Sequence, residues 1–352
     1  MIGPRTPETP ETPEPPEQRV RHLDYDDIRQ AADRIDGHIR PVAVTRADPG
    51  LVGGGRGGEP YELWFALEYL QFTGSFKARG ARNFLLAHSA AGTLPAAGVT
   101  IASGGNAGLA CAWAAKALGV PATVFVPETA PAVKVARLRA YGADVRLVGK
   151  EYAEALAACE EFTATAGALG SHAYDHPYIA AGAGTVLDEI RTAIPGLDTV
   201  LVAVGGGGLF AGVATAAREH GIRAVAVEPE NARTLHAAVE AGHPVDVTVD
   251  SVAGDSLGAR RATEMAVHAG RQDNARSVLV PDRAIIAARQ TLWDELRIVT
   301  EVGGATAFAP LLPTGGEDGG GRPYEPRPGE KVAVLLCGAN TDPGDLVARA
   351  EG

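Results

Sequence analysis

Apolar and polar positions fall in alternating blocks along this chain. Residues 99–102, 122–126 and 199–204 are short and almost wholly apolar, the pattern of strands buried on both faces of a sheet. Segments 62–66, 144–148, 223–227 and 331–336 read as further strands. Between them, stretches with helical spacing occupy 25–35, 106–118, 132–141, 151–165, 184–193 and 209–219, most closed by Gly, Pro or Ala-Asp turn chemistry. Strands separated by helices over these distances predict right-handed βαβ units and an α/β fold of mainly parallel sheets with helices on both faces. Length allows one large domain or two around a cleft.

Composition narrows the class. With 45% hydrophobic residues, 352 positions suffice for a large core, and no apolar run reaches the roughly 18 residues of a membrane span. A net charge of -11 with no Lys/Arg stripe argues against nucleic acid and membrane partners. Cys111, Cys159 and Cys337 have neither disulfide nor metal-ligand spacing, which fits a reducing cytoplasm. Residues 1–17 hold six prolines, four glutamates and one arginine, an acidic tail expected to be disordered.

Glycine is over-represented, 44 residues where about 7% is usual. Two clusters, around Gly53–Gly58 and Gly315–Gly321, read as flexible loops. Three others sit at strand-helix junctions, where backbone amides and helix N-termini face a ligand. They are Thr73-Gly74-Ser75-Phe76-Lys77-Ala78-Arg79-Gly80, Ser103-Gly104-Gly105-Asn106-Ala107-Gly108, and Gly205-Gly206-Gly207-Gly208-Leu209. Four consecutive glycines after an apolar strand suit a phosphate. The spacing Gly206-x-Gly208-x-x-Ala211 with Glu228 beyond also approximates a dinucleotide fingerprint, but that leaves Lys77 and the Asn106 loop without roles. Lys77 lies beside apolar Phe76, with Gly74 and Gly80 permitting close approach of a ring. A lysine so desolvated can form a Schiff base.

The ordered set of motifs resembles the fold-type II pyridoxal-phosphate enzymes, the serine and threonine dehydratases (ammonia-lyases) in particular. TGSFKARGA (73–81) resembles their cofactor-lysine motif, ASGGNAGLA (102–110) their carboxylate and cofactor loop, and GGGGL (205–209) their phosphate cup. VPETAPAVKVARLRAYGADVRLVG (126–149), HPYIAAGAGTVLDEI (176–190), VEPE (227–230) and CGAN (337–340) complete the order. The resemblance implies a tryptophan synthase beta-like architecture of two open, mainly parallel twisted sheets. It implies a large discontinuous cofactor-binding domain (18–68 and 175–352) and a small domain (69–174).

It further implies that Lys77 carries pyridoxal 5'-phosphate and removes the substrate's Cα proton. Phe76, Asn106, Gly205, Gly206, Gly207, Gly208, Leu209 and Cys337 would contact the cofactor, Cys337 at its pyridine nitrogen. Ser103, Gly104, Gly105, Asn106 and Ala107 would receive the substrate carboxylate, and Ser75 would reach the phosphate. The implied reaction is dehydration and deamination of a small hydroxy amino acid, serine or threonine, to a 2-oxo acid and ammonia, in a homodimer. Alternatives are a threo-3-hydroxyaspartate ammonia-lyase, a β-replacement enzyme, or a non-catalytic nucleotide- or amino-acid-binding protein.

Departures matter as much as matches. Gly104 stands where serine racemases of the family carry a catalytic serine, which disfavours racemisation. Thr234 stands where metal-binding relatives place a carboxylate, which argues against a metal there. Glu301 begins EVGGATA, similar to the family's EPxGA-like helix start, and reads as active-site wall or as a helix N-terminal charge. His172 and His176 lie in a turn-rich segment and lack a metal-binding pattern, and Trp113 reads as core. Asp255-Ser256-Leu257-Gly258-Ala259 resembles a family loop that shapes the substrate pocket, with an N-cap role for Asp255 or Ser256 as an equal reading.

Overall fold

A computed structural model describes residues 22–48, 50–313 and 321–348; the expected acidic tail and most of the second glycine loop lie outside them. Ten strands among the described residues build two sheets: β1 (Val44–Arg46), β2 (Glu62–Ala66), β3 (Val99–Ala102), β4 (Ala122–Val126), β5 (Asp144–Leu147), β6 (Leu169–Gly170), β7 (Thr199–Ala203), β8 (Arg223–Pro229), β9 (Ala275–Val280) and β10 (Lys331–Leu335). The larger sheet has the order β1-β2-β10-β7-β8-β9 and the smaller β5-β4-β3-β6. Every pairing is parallel except β1 with β2, so the expected mixed α/β architecture of two mainly parallel sheets is the one observed.

The apolar runs are central because helices cover both faces. Val200, Leu201 and Val202 of β7 and Val332, Ala333 and Val334 of β10 are fully buried. Each such Val or Leu contributes about 1.5–3 kcal/mol of transfer free energy. From β7 the chain order runs outward to β8 and β9 on one side and returns to β10 and β2 on the other. That reversal opens a crevice beyond the C-terminal ends of β7 and β10, where open parallel sheets bind ligands.

Two expectations change. The turn-rich segment that holds His172 and His176 ends at His176, and the residues after it, left without an element, form the helix Pro177–Gly184, with Pro at its start and the His176 side chain accepting from Tyr178 N–H. Its periodicity is invisible because Ile179, Ala180, Ala181, Gly182, Ala183 and Gly184 are buried all round. The first glycine loop is a packed turn: a Cβ on Gly54 would lie 2.3 Å from the Gly58 carbonyl, one on Gly55 2.4 Å from that of Pro326. Arg322 donates to the Val52 and Gly54 carbonyls, clamping it.

Candidate active site

The lysine segment is clipped to the end of the central strand. Ser75 bridges Gly338, Phe76 N–H donates to the Cys337 carbonyl at 3.0 Å, and Ala339 N–H to that of Gly74 at 3.0 Å. Thr73 (φ 62°) and Gly74 (φ 75°) take left-handed conformations that turn the chain into the helix Lys77–Ala90. Lys77 is thereby the first residue of a helix held against β10. Two residues on, fully buried Arg79 donates to Glu68 (2.6 and 3.0 Å), Glu189 (2.6 and 2.9 Å) and Thr185 (3.2 Å), joining that helix to the larger sheet's helical layer.

Lys77 is half-buried, its Nζ donating to the Ala173 carbonyl at 2.7 Å. The ring centroids of Phe76 and Tyr174 lie 4.8 and 5.9 Å from that nitrogen. Desolvation lowers its pKa from 10.5 to about 8, outweighing the opposite pull of Cys337 and Glu301. Burial pushes the Cys337 thiol up to about 12, so it stays protonated at neutral pH.

The four-glycine run follows β7 and enters the helix Gly208–Glu219. Only Gly207 has a positive φ (90°); the others are required by space. A Cβ would meet Leu257 Cα at 3.0 Å from Gly205, the Tyr174 ring at 2.2 Å from Gly206, Ala266 Cβ at 2.4 Å from Gly207, and the Tyr174 carbonyl at 2.5 Å from Gly208. Among the described residues, no protein acceptor meets the backbone N–H groups of Gly205, Gly206, Gly207, Gly208 or Leu209. Five consecutive free donors at a helix start form an anion nest. Behind it, the Thr234 hydroxyl lies 2.5 Å from the Gly205 carbonyl and 3.1 Å from Glu228. Glu228 also accepts from Leu235 and His236 N–H; burial raises its pKa to about 7 against the pull of those bonds.

The third junction starts the helix Asn106–Leu118, where Asn106 and Ala107 N–H likewise lack a protein acceptor and Ser103 Oγ receives a long bond from Gly105 N–H (3.4 Å). Asn106 Nδ2 donates to both oxygens of Glu301 (2.9 and 3.0 Å), while its Oδ1 accepts from Asn340 Nδ2 (2.7 Å). Glu301 is 9% exposed, and a Cβ on Gly338 would lie 2.4 Å from its Oε1. Its carboxyl pKa is raised by burial, against the pull of the Asn106 bond.

The fold thus brings Lys77, Phe76, Asn106 and Cys337 into one linked neighbourhood and places the Gly205–Leu209 nest across Tyr174 from the lysine. Gly80 is placed elsewhere than expected: its Cβ position points at the Ile179 carbonyl (2.6 Å), so it serves helix packing. Asp255 is no N-cap; Ala253 caps that short helix, and Asp255 pairs with Lys134 at 2.7 Å. His172 accepts from Tyr174 and Asp175 N–H, shaping the loop that presents Ala173 to Lys77. Tyr174, Arg79 and Asn340 escaped the residue-by-residue reading although all three lie within or beside its motifs.

Comparison with known proteins shows the family. The family model described as "Pyridoxal-phosphate dependent enzyme" matches residues 52–338. An L-threonine ammonia-lyase of Geobacter sulfurreducens is 34% identical over 323 residues, covering 91% of this chain and 76% of that protein. A phenylserine dehydratase of Ralstonia pickettii is 38% identical over 281 residues, covering 79% and 82%. The solved maize serine racemase superposes with a TM-score of 0.82 at 28% identity, covering 94% of this chain and 98% of that one. The chain belongs to the pyridoxal-phosphate dependent enzymes of fold-type II, in their serine/threonine dehydratase family. It is an ammonia-lyase whose cofactor is pyridoxal phosphate. The residues fit that group: a free-amide nest for the phosphate, a depressed-pKa amine for the aldehyde, a neutral thiol, and a buried Ser75 hydroxyl without a partner. No described helix is long and apolar enough to cross a membrane.

Proposed function

We propose that this enzyme dehydrates and deaminates a small β-hydroxy amino acid, L-serine or L-threonine, to a 2-oxo acid and ammonia. The observation that carries the reading is the half-buried, low-pKa Lys77 amine 5.9 Å from the centroid of the Tyr174 ring, a ring that lies against Gly206 of the free-amide nest. Bound pyridoxal phosphate supplies an electron sink for the Cα carbanion. Gly205 to Leu209 hold its phosphate, and Asn106 and Cys337 contact its ring. The Ser103 hydroxyl and the free N–H groups of Asn106 and Ala107 bind the substrate carboxylate. Lys77, with a pKa of about 8, takes the Cα proton and holds it at Nζ. The Cβ–O bond then breaks as the proton held at Nζ passes to the departing oxygen, which leaves as water, and a second water hydrolyses the released enamine-imine to the 2-oxo acid and ammonia.

Two features support elimination over racemisation. Gly104 offers no side chain to donate a proton to the opposite face, and its Cβ position lies 3.2 Å from Val126. A protonated Cys337 thiol places no anion at the ring nitrogen, in keeping with a step that needs modest carbanion delocalisation. The same reading takes residues 69–174 as a small lobe closing on a larger one, and a cytoplasmic homodimer as the working form. Sedimentation tests the dimer.

The deciding experiment is a panel of serine, threonine, threo-3-hydroxyaspartate, phenylserine and sulfur-bearing amino acids, following ammonia and 2-oxo acid together. Phenylserine is included because of the Ralstonia relative. Equal yields of both products from serine or threonine are expected; enantiomer formation without ammonia, or no oxo acid from either, refutes the reading.

A further inference from the structure

The polar contacts around Asn106 run in one direction. Arg137 Nη1 donates to Asn340 Oδ1 (3.4 Å), Asn340 Nδ2 donates to Asn106 Oδ1 (2.7 Å), and Asn106 Nδ2 donates to Glu301 (2.9 and 3.0 Å). A second Asn340 donor goes to the Thr73 carbonyl at 2.7 Å, which fixes that amide's orientation independently. Turning the Asn106 amide over would set its oxygen against the Glu301 carboxylate and its nitrogen against Asn340 Nδ2. Acceptor would meet acceptor and donor would meet donor, so both neighbours select one orientation.

The members come alternately from two parts of the fold. Arg137 and Asn106 sit on helices packed with the smaller sheet, Asn340 and Glu301 beyond β10 and near the larger sheet. Glu301 is held from both sides, its own N–H donating to the Gly338 carbonyl at 3.1 Å. Although it precedes the short helix Val302–Ala305, its side chain makes no capping bond there.

We infer that Glu301 is a positioning residue for cofactor capture: with Asn340 it locks the Asn106 amide so that its donor side is presented to the cofactor ring. This rests on the pyridoxal-phosphate reading above and assigns Glu301 no contact with the reacting atoms. The charged and titratable groups facing its carboxylate are Asp255 and Lys77, with the Cys337 thiol on the β10 side and the Asn106 amide opposite. Glu301 would therefore contribute to the field felt by a cofactor held at Lys77.

The test titrates cofactor-free wild type, Glu301→Gln, Asn340→Asp and the double variant with pyridoxal phosphate, reading the visible band, its pH dependence and the melting temperature. Glu301→Gln removes the charge but keeps the shape. We expect a melting temperature near wild type, affinity weaker by about tenfold, and a displaced band-pH profile. Asn340→Asp turns an acceptor toward Asn106 Oδ1 and is expected to weaken affinity at least as much. Both act on one amide, so the double variant should lose less than the product of the single losses. Wild-type affinity and pH profile in Glu301→Gln, or strictly multiplicative losses, overturn the inference while leaving the cofactor reading intact. Losses that only track lowered melting temperatures also overturn it. A wild-type chain that gains no band refutes both.

Discussion

Burial of Lys77 sets a rate that can be measured before any substrate is added. Only the neutral amine attacks an aldehyde, and desolvation brings the Lys77 pKa from 10.5 to about 8. At pH 7 about a tenth of such an amine is neutral, against about 0.03% of an ordinary lysine, an advantage of about 300-fold. Capture of pyridoxal phosphate by the cofactor-free chain should accelerate about tenfold per pH unit below pH 8 and level off above about pH 9. Stopped-flow absorbance from pH 6.5 to 10 reads this directly. The buffer must be free of phosphate, which would compete for the Gly205–Leu209 amides. A rate that keeps climbing to pH 10 without a plateau would falsify the assignment of a desolvated amine. Stability is linked with a definite sign. The folded-state pKa lies below the unfolded one, so between about pH 8 and 10.5 the unfolded chain binds more protons, and the cofactor-free fold gains stability as pH rises through that window.

Two further substitutions probe the scaffold around the amine. Arg79→Met leaves Glu68, itself fully buried, without its cation; urea unfolding should show a loss of about 3–5 kcal/mol, and a loss under 1 kcal/mol would mean the triad is dispensable. Gly206→Ala drives a methyl to within 2.2 Å of the Tyr174 ring and should weaken cofactor affinity by more than about tenfold. Adding Tyr174→Ala should restore part of it, because the ring is the obstacle; no recovery in the absorbance titration would place the damage in the loop backbone instead.

Seven of the ten strands were legible, most of them as short apolar runs bounded by turn residues, and the three site loops because glycine runs at strand-helix junctions have few other causes. The strands β1, β6 and β9 were not, because all three are sheet edges that stay largely outside the core and lack a full-length apolar run. What stayed hidden depends on distance in sequence. Asn106 and Glu301 are 195 positions apart and Asn340 and Asn106 234 apart, and nothing in local patterning pairs them. Tyr174 looks like an ordinary loop aromatic until the fold lays its ring on Gly206. Arg79 carries no local sign of burial, because its partners Glu68 and Glu189 stand 11 and 110 positions away.

Beyond the turn and helix-end glycines that take positive φ, such as Gly119, Gly167 and Gly242, the glycine surplus has two physical origins that composition merges. One is the proposed ligand-facing set, where the Gly205–Leu209 amides stay without a protein acceptor among the described residues. The other is a stack of close helix crossings: a Cβ on Gly182 would meet Gly80 Cα at 2.9 Å, and one on Gly184 would meet Gly212 Cα at 2.7 Å. These contacts bring the helix Lys77–Ala90 against Pro177–Gly184, and that helix against Gly208–Glu219, at near-backbone contact. The lysine leads the first helix and the free-amide nest starts the third. Their separation is therefore set by two glycine-glycine crossings, and any side chain at those crossings would widen the gap between the amine and the anion site. Gly80 and Gly182, though they face no ligand, belong to the chemistry through the distance they fix.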